Sequence, residues 1–229
     1  MHKAANWGWS CTVRNNPAAP AVAAIPFAIV ALTMVHQPDV NGALRWDVAN
    51  ALGYVCFALF LYLFVDVGSG PRQRPHQLAS YLAGATLLAH VLILWLPDPS
   101  LWSYLSWYAP AYMLAGIAAA VCVVLLIITS LPRWRRVLHA RYPEFRRLHK
   151  VLSALLLGLC LWHMLGSGLY LNIFESICLA ALSCAIAAHQ LLSRDPVWPR
   201  YLTVQHGFTF TLMTIGAASL LFVGVRQWL

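Results

Sequence analysis

Seven apolar segments divide this chain, at roughly 19–36, 47–67, 77–97, 109–131, 149–170, 172–192 and 205–225. Most approach the roughly 20 residues a helix needs to cross a hydrocarbon core of about 30 Å. Lipid offers the backbone no hydrogen-bond partners, so segments of this kind are confined to helices. The 229 residues are 61% hydrophobic and 10% charged, with a mean hydropathy of +0.68. That balance belongs to a polytopic membrane protein and excludes an ordinary soluble domain. The expected fold is all-α, a polytopic membrane helix bundle. The first segment is short and carries Pro20 and Pro26, and the fifth and sixth are joined by the tight link GSGLYLN. The N-terminal stretch MHKAANWGWSCTVRNNPAAP has no early apolar run and does not read as a signal peptide.

Lys and Arg set the orientation. With the N-terminus in the cytoplasm, Lys3, Arg14, Arg72, Arg74, seven residues from Arg133 to Lys150, Arg194 and Arg200 lie inside. Only Arg45 and Arg226 of the 15 basic residues fall outside, so the positive-inside rule places the N-terminus in and the C-terminus out. This asymmetry accounts for most of the net charge of +8, and the basic residues are juxtamembrane rather than arranged for nucleic acid. An integral protein of a bacterial inner (plasma) membrane is expected. The outer loop PDPSLWSYLSWYAP has no basic residue and carries Trp102, Tyr104, Trp107 and Tyr108. It reads as an interfacial aromatic belt, or as a lid or docking face.

Two histidine pairs share one spacing. His76 and His90 bracket HQLASYLAGATLLAH, and His149 and His163 bracket HKVLSALLLGLCLWH. Fourteen residues of helix span about 21 Å and return to nearly the same face, about 40° off. Segments three and five run in the same direction, because one segment separates them. Depth matching therefore pairs His76 with His149 near the cytoplasmic face and His90 with His163 nearer the outside. Ionisable groups at membrane depth default to a functional reading, and neutral imidazole is a good iron ligand. Two bis-histidine hemes stacked across the membrane are the expectation. With no CxxCH in the chain, the cofactor is heme b, held noncovalently. Arg72, Arg74 and Arg147, with Arg146 and Lys150, are placed to pair with propionates of the inner heme, although topology alone also accounts for them. Ala83, Gly84 and Gly158 leave room either for macrocycles or for close helix packing.

Other features rank lower. His189 and His206, near the inner ends of segments six and seven, mark a candidate quinone or flavin (FMN) site or are polar helix ends. His2 and His139 read as interface or solvent residues, and His36 ends segment one on the outer side. The six Cys (11, 56, 122, 160, 178, 184) form no CxxC, and five lie in apolar segments, as small core residues would. A proton-relaying transporter or channel is the rival from another class. Against it stand the absence of an inverted repeat and the scarcity of membrane carboxylates, with Asp66 and Glu175 near segment ends. Two further rivals are a purely structural membrane subunit and a quinol-oxidising cytochrome b that anchors a periplasmic enzyme.

The motifs RPHQLASYLAGATLLAH and FRRLHKVLSALLLGLCLWH resemble the ferric-reductase-like transmembrane family, over about 46–192. That family includes ferric reductases, NADPH oxidases and the heme-binding membrane subunit of the periplasmic methionine sulfoxide reductase system. The resemblance implies heme ligands at His76, His90, His149 and His163. It also implies a six-helix core, so that segment seven is an extra helix. The domain reading is a cytoplasmic segment 1–18, a six-helix heme-binding membrane domain 19–192, and a cytoplasmic loop with a seventh helix over 193–229. Oxidases and ferric reductases of the family continue into a flavin and nicotinamide domain; no GxGxxG occurs here. A stand-alone electron-transfer subunit is therefore expected. Its donor would be a separate cytoplasmic flavin reductase or quinol. Its acceptor would be extracytoplasmic: a periplasmic reductase, ferric iron or oxygen.

Overall fold

A computed structural model describes residues 44–65, 73–131, 134, 142–168, 171–192, 212–214 and 216–224. Among these the chain forms α1 (Leu44–Val65), α2 (Gln73–Trp95), a 3₁₀ helix η1 (Pro99–Leu105), α3 (Ala111–Ser130), α4 (Tyr142–Ser167) and α5 (Ile173–Leu192). Apolar segments two to six correspond to α1 to α5. A shorter apolar helix covers Leu212–Gly224, within segment seven. Segment one lies outside the described residues.

Among the described residues, four stretches are long and apolar enough to cross a membrane: Leu44–Phe64, His76–Trp95, Ala111–Ser130 and Pro143–Ser167. The chain is an all-α membrane helix bundle. Two antiparallel hairpins build it, α1 along α2 and α3 along α4, while α1 also touches α4 and α5. α1 is the central helix, with Ala49, Phe57, Ala58, Leu59 and Leu61 essentially sealed from the surface. One of its sides joins Tyr54, Cys56 and Ala58 to Ala79 and Ala83 of α2 and Ala119 and Cys122 of α3. Its other side joins Phe57 and Leu61 to Leu157 and Leu161 of α4 and Leu179 of α5. Large apolar residues such as Leu88, Val124, Leu155 and Ile177 face outward, as a helix that is apolar on all sides does in lipid.

Local chemistry fixes the helix ends. Asp98 caps η1, its carboxylate accepting from the Ser100 amide and hydroxyl at 3.0 and 2.6 Å. At the start of α5, Asn172 Oδ1 accepts from the Glu175 amide at 3.0 Å, and Glu175 returns the bond to the Asn172 amide at 2.9 Å. This reciprocal capping box satisfies two donors at once and gives Glu175 a structural role. α4 stops at Ser167 because Gly168 adopts φ 63°, a conformation glycine reaches without steric cost. The outer loop folds back on its own hairpin: Trp102 packs on Trp95 with ring centroids 5.2 Å apart, Leu101 is buried, and Trp107 and Tyr108 are almost fully exposed. The Leu212–Gly224 helix docks on α1 through an edge contact of Phe222 with Tyr54 at 5.9 Å.

Of the five described cysteines, two are core residues as expected and Cys184 is not. Cys56 and Cys122 are buried, Cys160 and Cys178 half-buried and Cys184 exposed, all five as free thiols.

Candidate heme-binding site

His76 and His90 lie on α2, and His149 and His163 lie on α4; all four are half-buried. The rings interact electrostatically in pairs, His149 with His76 and His90 with His163. Equal spacing on both helices produces this double match only if α2 and α4 run in the same direction. Yet α2 and α4 make no extended packing contact with each other. Each packs on its own hairpin partner, and the histidine levels face one another across the space between. We label the His76/His149 end inner and the His90/His163 end outer, after the positive-inside expectation.

The outer rings are anchored. His90 Nδ1 lies 2.6 Å from the Ala49 carbonyl oxygen on α1. His163 Nδ1 lies 2.8 Å from the Tyr112 carbonyl oxygen on α3. A carbonyl can only accept, so Nδ1 carries the proton in both and Nε2 holds the lone pair. That is the tautomer a metal-binding imidazole needs, with its second nitrogen tied to an outer partner.

At the inner end His76 and His149 line one cavity of about 170 Å³, open to the outside, together with Phe60, Ser80, Tyr81 and Ser130. Ser80 donates to the His76 carbonyl and Ser153 to the His149 carbonyl, both at 2.8 Å. His149 Nδ1 is 3.5 Å from Ser130 Oγ, a far looser contact than the carbonyl bonds of the outer pair. Phe145 covers the His149 ring at 5.3 Å. Two imidazoles per level, with tautomers set for Nε2 at the outer level, fit heme in chemistry.

The basic candidates divide. Arg72, and the side chain of Arg74, lie outside the described residues. Arg147 is exposed on α4. Helical periodicity sets it nearly opposite His149, whereas Arg146, also exposed, sits one turn before His149 on nearly its side. The side chains of His189 and His206, and all of His2, His36 and His139, also lie outside the described residues. Ala83 is buried against α1 in the bundle core, so its small size serves helix packing.

Two sets of residues escaped the sequence reading. Gly53 of α1 and Gly116 of α3 press against the outer histidines. A Cβ added at Gly53 would sit 3.1 Å from His90 Nδ1, and one at Gly116 would sit 2.7 Å from His163 Nδ1. Nothing in a lone glycine within an apolar run announces this. Asp47, 1% exposed in the first turn of α1, is a second omission; it sits at the edge of its apolar segment, where a helix N-terminus favours a carboxylate.

Residues 52–160 match the family described as ferric reductase like transmembrane component. This region is a ferric-reductase-like transmembrane domain. It runs from within α1 through most of α4, takes in His76, His90 and His149, and stops three residues short of His163. The match supports a membrane component of the oxidoreductase type, and the matched family is heme-binding in general. No curated protein and no solved structure matches the chain.

Proposed function

We propose that the chain is a di-heme b-type cytochrome that moves electrons across the membrane. They come from a cytoplasmic flavoprotein or quinol and go to an extracytoplasmic acceptor, such as a periplasmic reductase, ferric iron or oxygen. The observation that carries this reading is the double pairing of histidines, His76 with His149 and His90 with His163, on two co-directed helices that do not pack on one another. Bound heme supplies reversible one-electron chemistry, and with both axial positions held by histidine it favours electron transfer over oxygen activation. The protein supplies the rest. α2 and α4 hold two ligand levels 14 residues, or about 21 Å of helix, apart. α1 and α3 fix the outer ring planes through backbone carbonyls. Arg146 and Lys150, near the start of α4, offer cations to inner propionates, and Arg147, on the side away from His149, offers one to an acidic donor protein.

A pyridine hemochrome assay against protein concentration tests the reading. Two hemes b per chain are expected. A single heme would remove His76 from the ligand set, and a colourless protein from heme-replete cells would overturn the proposal.

A further inference from the structure

The outer level is built by one device used twice. On the first helix of each hairpin a backbone carbonyl faces out, Ala49 on α1 and Tyr112 on α3, and it takes the Nδ1 proton of a histidine on the second helix. Four residues further along each first helix stands a glycine, Gly53 after Ala49 and Gly116 after Tyr112. Helical side chains lean toward the N-terminus, so the residue at i+4 normally covers the carbonyl of residue i. Glycine at i+4 uncovers it. The carbonyl already serves the helix, and its second lone pair takes the imidazole. The ring then lies in the space the missing Cβ would fill: at Gly116 a Cβ would be 2.7, 3.0 and 3.1 Å from Nδ1, Cε1 and Cγ of His163. On α4 a second glycine, Gly166, lets the chain approach Tyr112 itself, where a Cβ would meet Tyr112 Cβ at 2.5 Å.

At the inner level the His149 Nδ1 faces a serine hydroxyl at 3.5 Å instead of a carbonyl. We infer that Gly53 and Gly116 are positioning residues that clamp His90 and His163 onto the Ala49 and Tyr112 carbonyls, fixing tautomer and ring plane at the outer heme. The inference rests on the two-heme reading above. It adds residues to that reading which touch neither iron nor macrocycle by necessity, and it makes the two hemes spectroscopically unequal. An imidazole whose Nδ1–H is held by a carbonyl is a more basic ligand with a locked orientation.

The test compares the wild type with Gly53→Ala, Gly116→Ala and Gly158→Ala, each purified with heme, by heme content, low-spin EPR and redox titration. Gly158 is not on the macrocycle side that the sequence allowed for it. It stands nine residues after His149, on the opposite side of α4, is exposed and has nothing within 4 Å of an added Cβ. Alanine is the better helix former at all three positions, so any loss is steric. Gly158→Ala should match the wild type. Gly116→Ala should weaken outer heme binding on the order of 10-fold or more and shift or abolish the EPR component that His163→Ala removes, leaving the other component in place. Gly53→Ala should do the same to a lesser degree, its contacts being looser. A Gly116→Ala protein with two hemes and wild-type EPR and potentials overturns the clamp. Redox-difference infrared spectra of wild-type protein with ¹⁵N-labelled histidine decide the matter even where a variant fails to accumulate. Strongly hydrogen-bonded Nδ1–H at the outer heme is expected, and a weakly bonded one overturns the inference. A colourless wild type overturns the two-heme reading and the clamp together, whereas a two-heme wild type with an unaltered Gly116→Ala overturns the clamp alone.

Discussion

The Cys56 thiol on α1 donates to the Ala83 carbonyl oxygen of α2 at 3.3 Å, midway between His76 and His90. Both residues are nearly sealed from the surface. A larger side chain at 83 has no space to enter, and overpacking of this kind costs about 1–3 kcal/mol. Ala83→Leu should lower the thermal unfolding midpoint in detergent and separate α2 from α1. Unchanged stability would mean that α2 is free to shift outward in lipid or detergent.

Ligand substitutions should act by level. His90→Ala and His163→Ala should each reduce heme content from two to one per chain and remove the same spectral component. His76→Ala and His149→Ala should remove the other. Loss of one component by both His76→Ala and His163→Ala would break the pairing.

The outer loop should respond to acid through Asp98. Hydrogen bonds from the Ser100 side chain and then its backbone hold the Asp98 carboxyl below the usual carboxylate range. A folded-state value below the unfolded one means that the cap is present above about pH 3.9, the unfolded value, and is lost as pH falls through the folded value. The protection factor of the Ser100 amide, its exchange relative to the intrinsic rate at each pH, should therefore be high at neutral pH and fall on acidification, and Asp98→Asn should make it pH-independent over that window. A wild-type protection factor that stays constant through the window would contradict this.

Electron entry should depend on the basic stretch RWRRVLHARYPEFRRLHK before and around His149. Charge reversal at Arg135, Arg136 and Arg141 should slow reduction by an acidic flavoprotein and leave dithionite reduction intact. Raising salt from 0.1 to 1 M shortens the Debye length from about 10 to about 3 Å and should mimic the variant. Salt-independent reduction would instead favour a quinol donor within the membrane.

Hydropathy located α1, α3 and α5 in the sequence to within a few residues, because their apolar runs and helices coincide. It placed the start of α2 at 77 and of α4 at 149, where the helices begin at Gln73 and Tyr142. Both extensions are polar turns carrying a proline in the first turn, Pro75 and Pro143, where a missing N–H does no harm; a reading of apolarity passes over them. The histidine levels were legible because equal spacing on two helices is a one-dimensional pattern. The acceptors at Ala49 and Tyr112 are backbone oxygens, which any residue carries. The roles of Gly53 and Gly116 depend on which side chain a neighbouring helix presents, and that information exists only once the hairpins are packed.

The separation of α2 from α4 bears on how such a protein is made. Each hairpin pairs its own two helices, and the two are joined through the packing of α1 on α3, α4 and α5, an order of assembly in keeping with two-stage membrane folding. The ligands of each level come one from each hairpin. Anything that bridges them rivets the halves together, and by mass action stabilises the closed bundle over the open one. Cofactor supply would then bear on maturation as well as activity: in chains made during heme starvation the two halves would be held mainly by the contacts of α1, and proteases would find the space between α2 and α4 less well guarded.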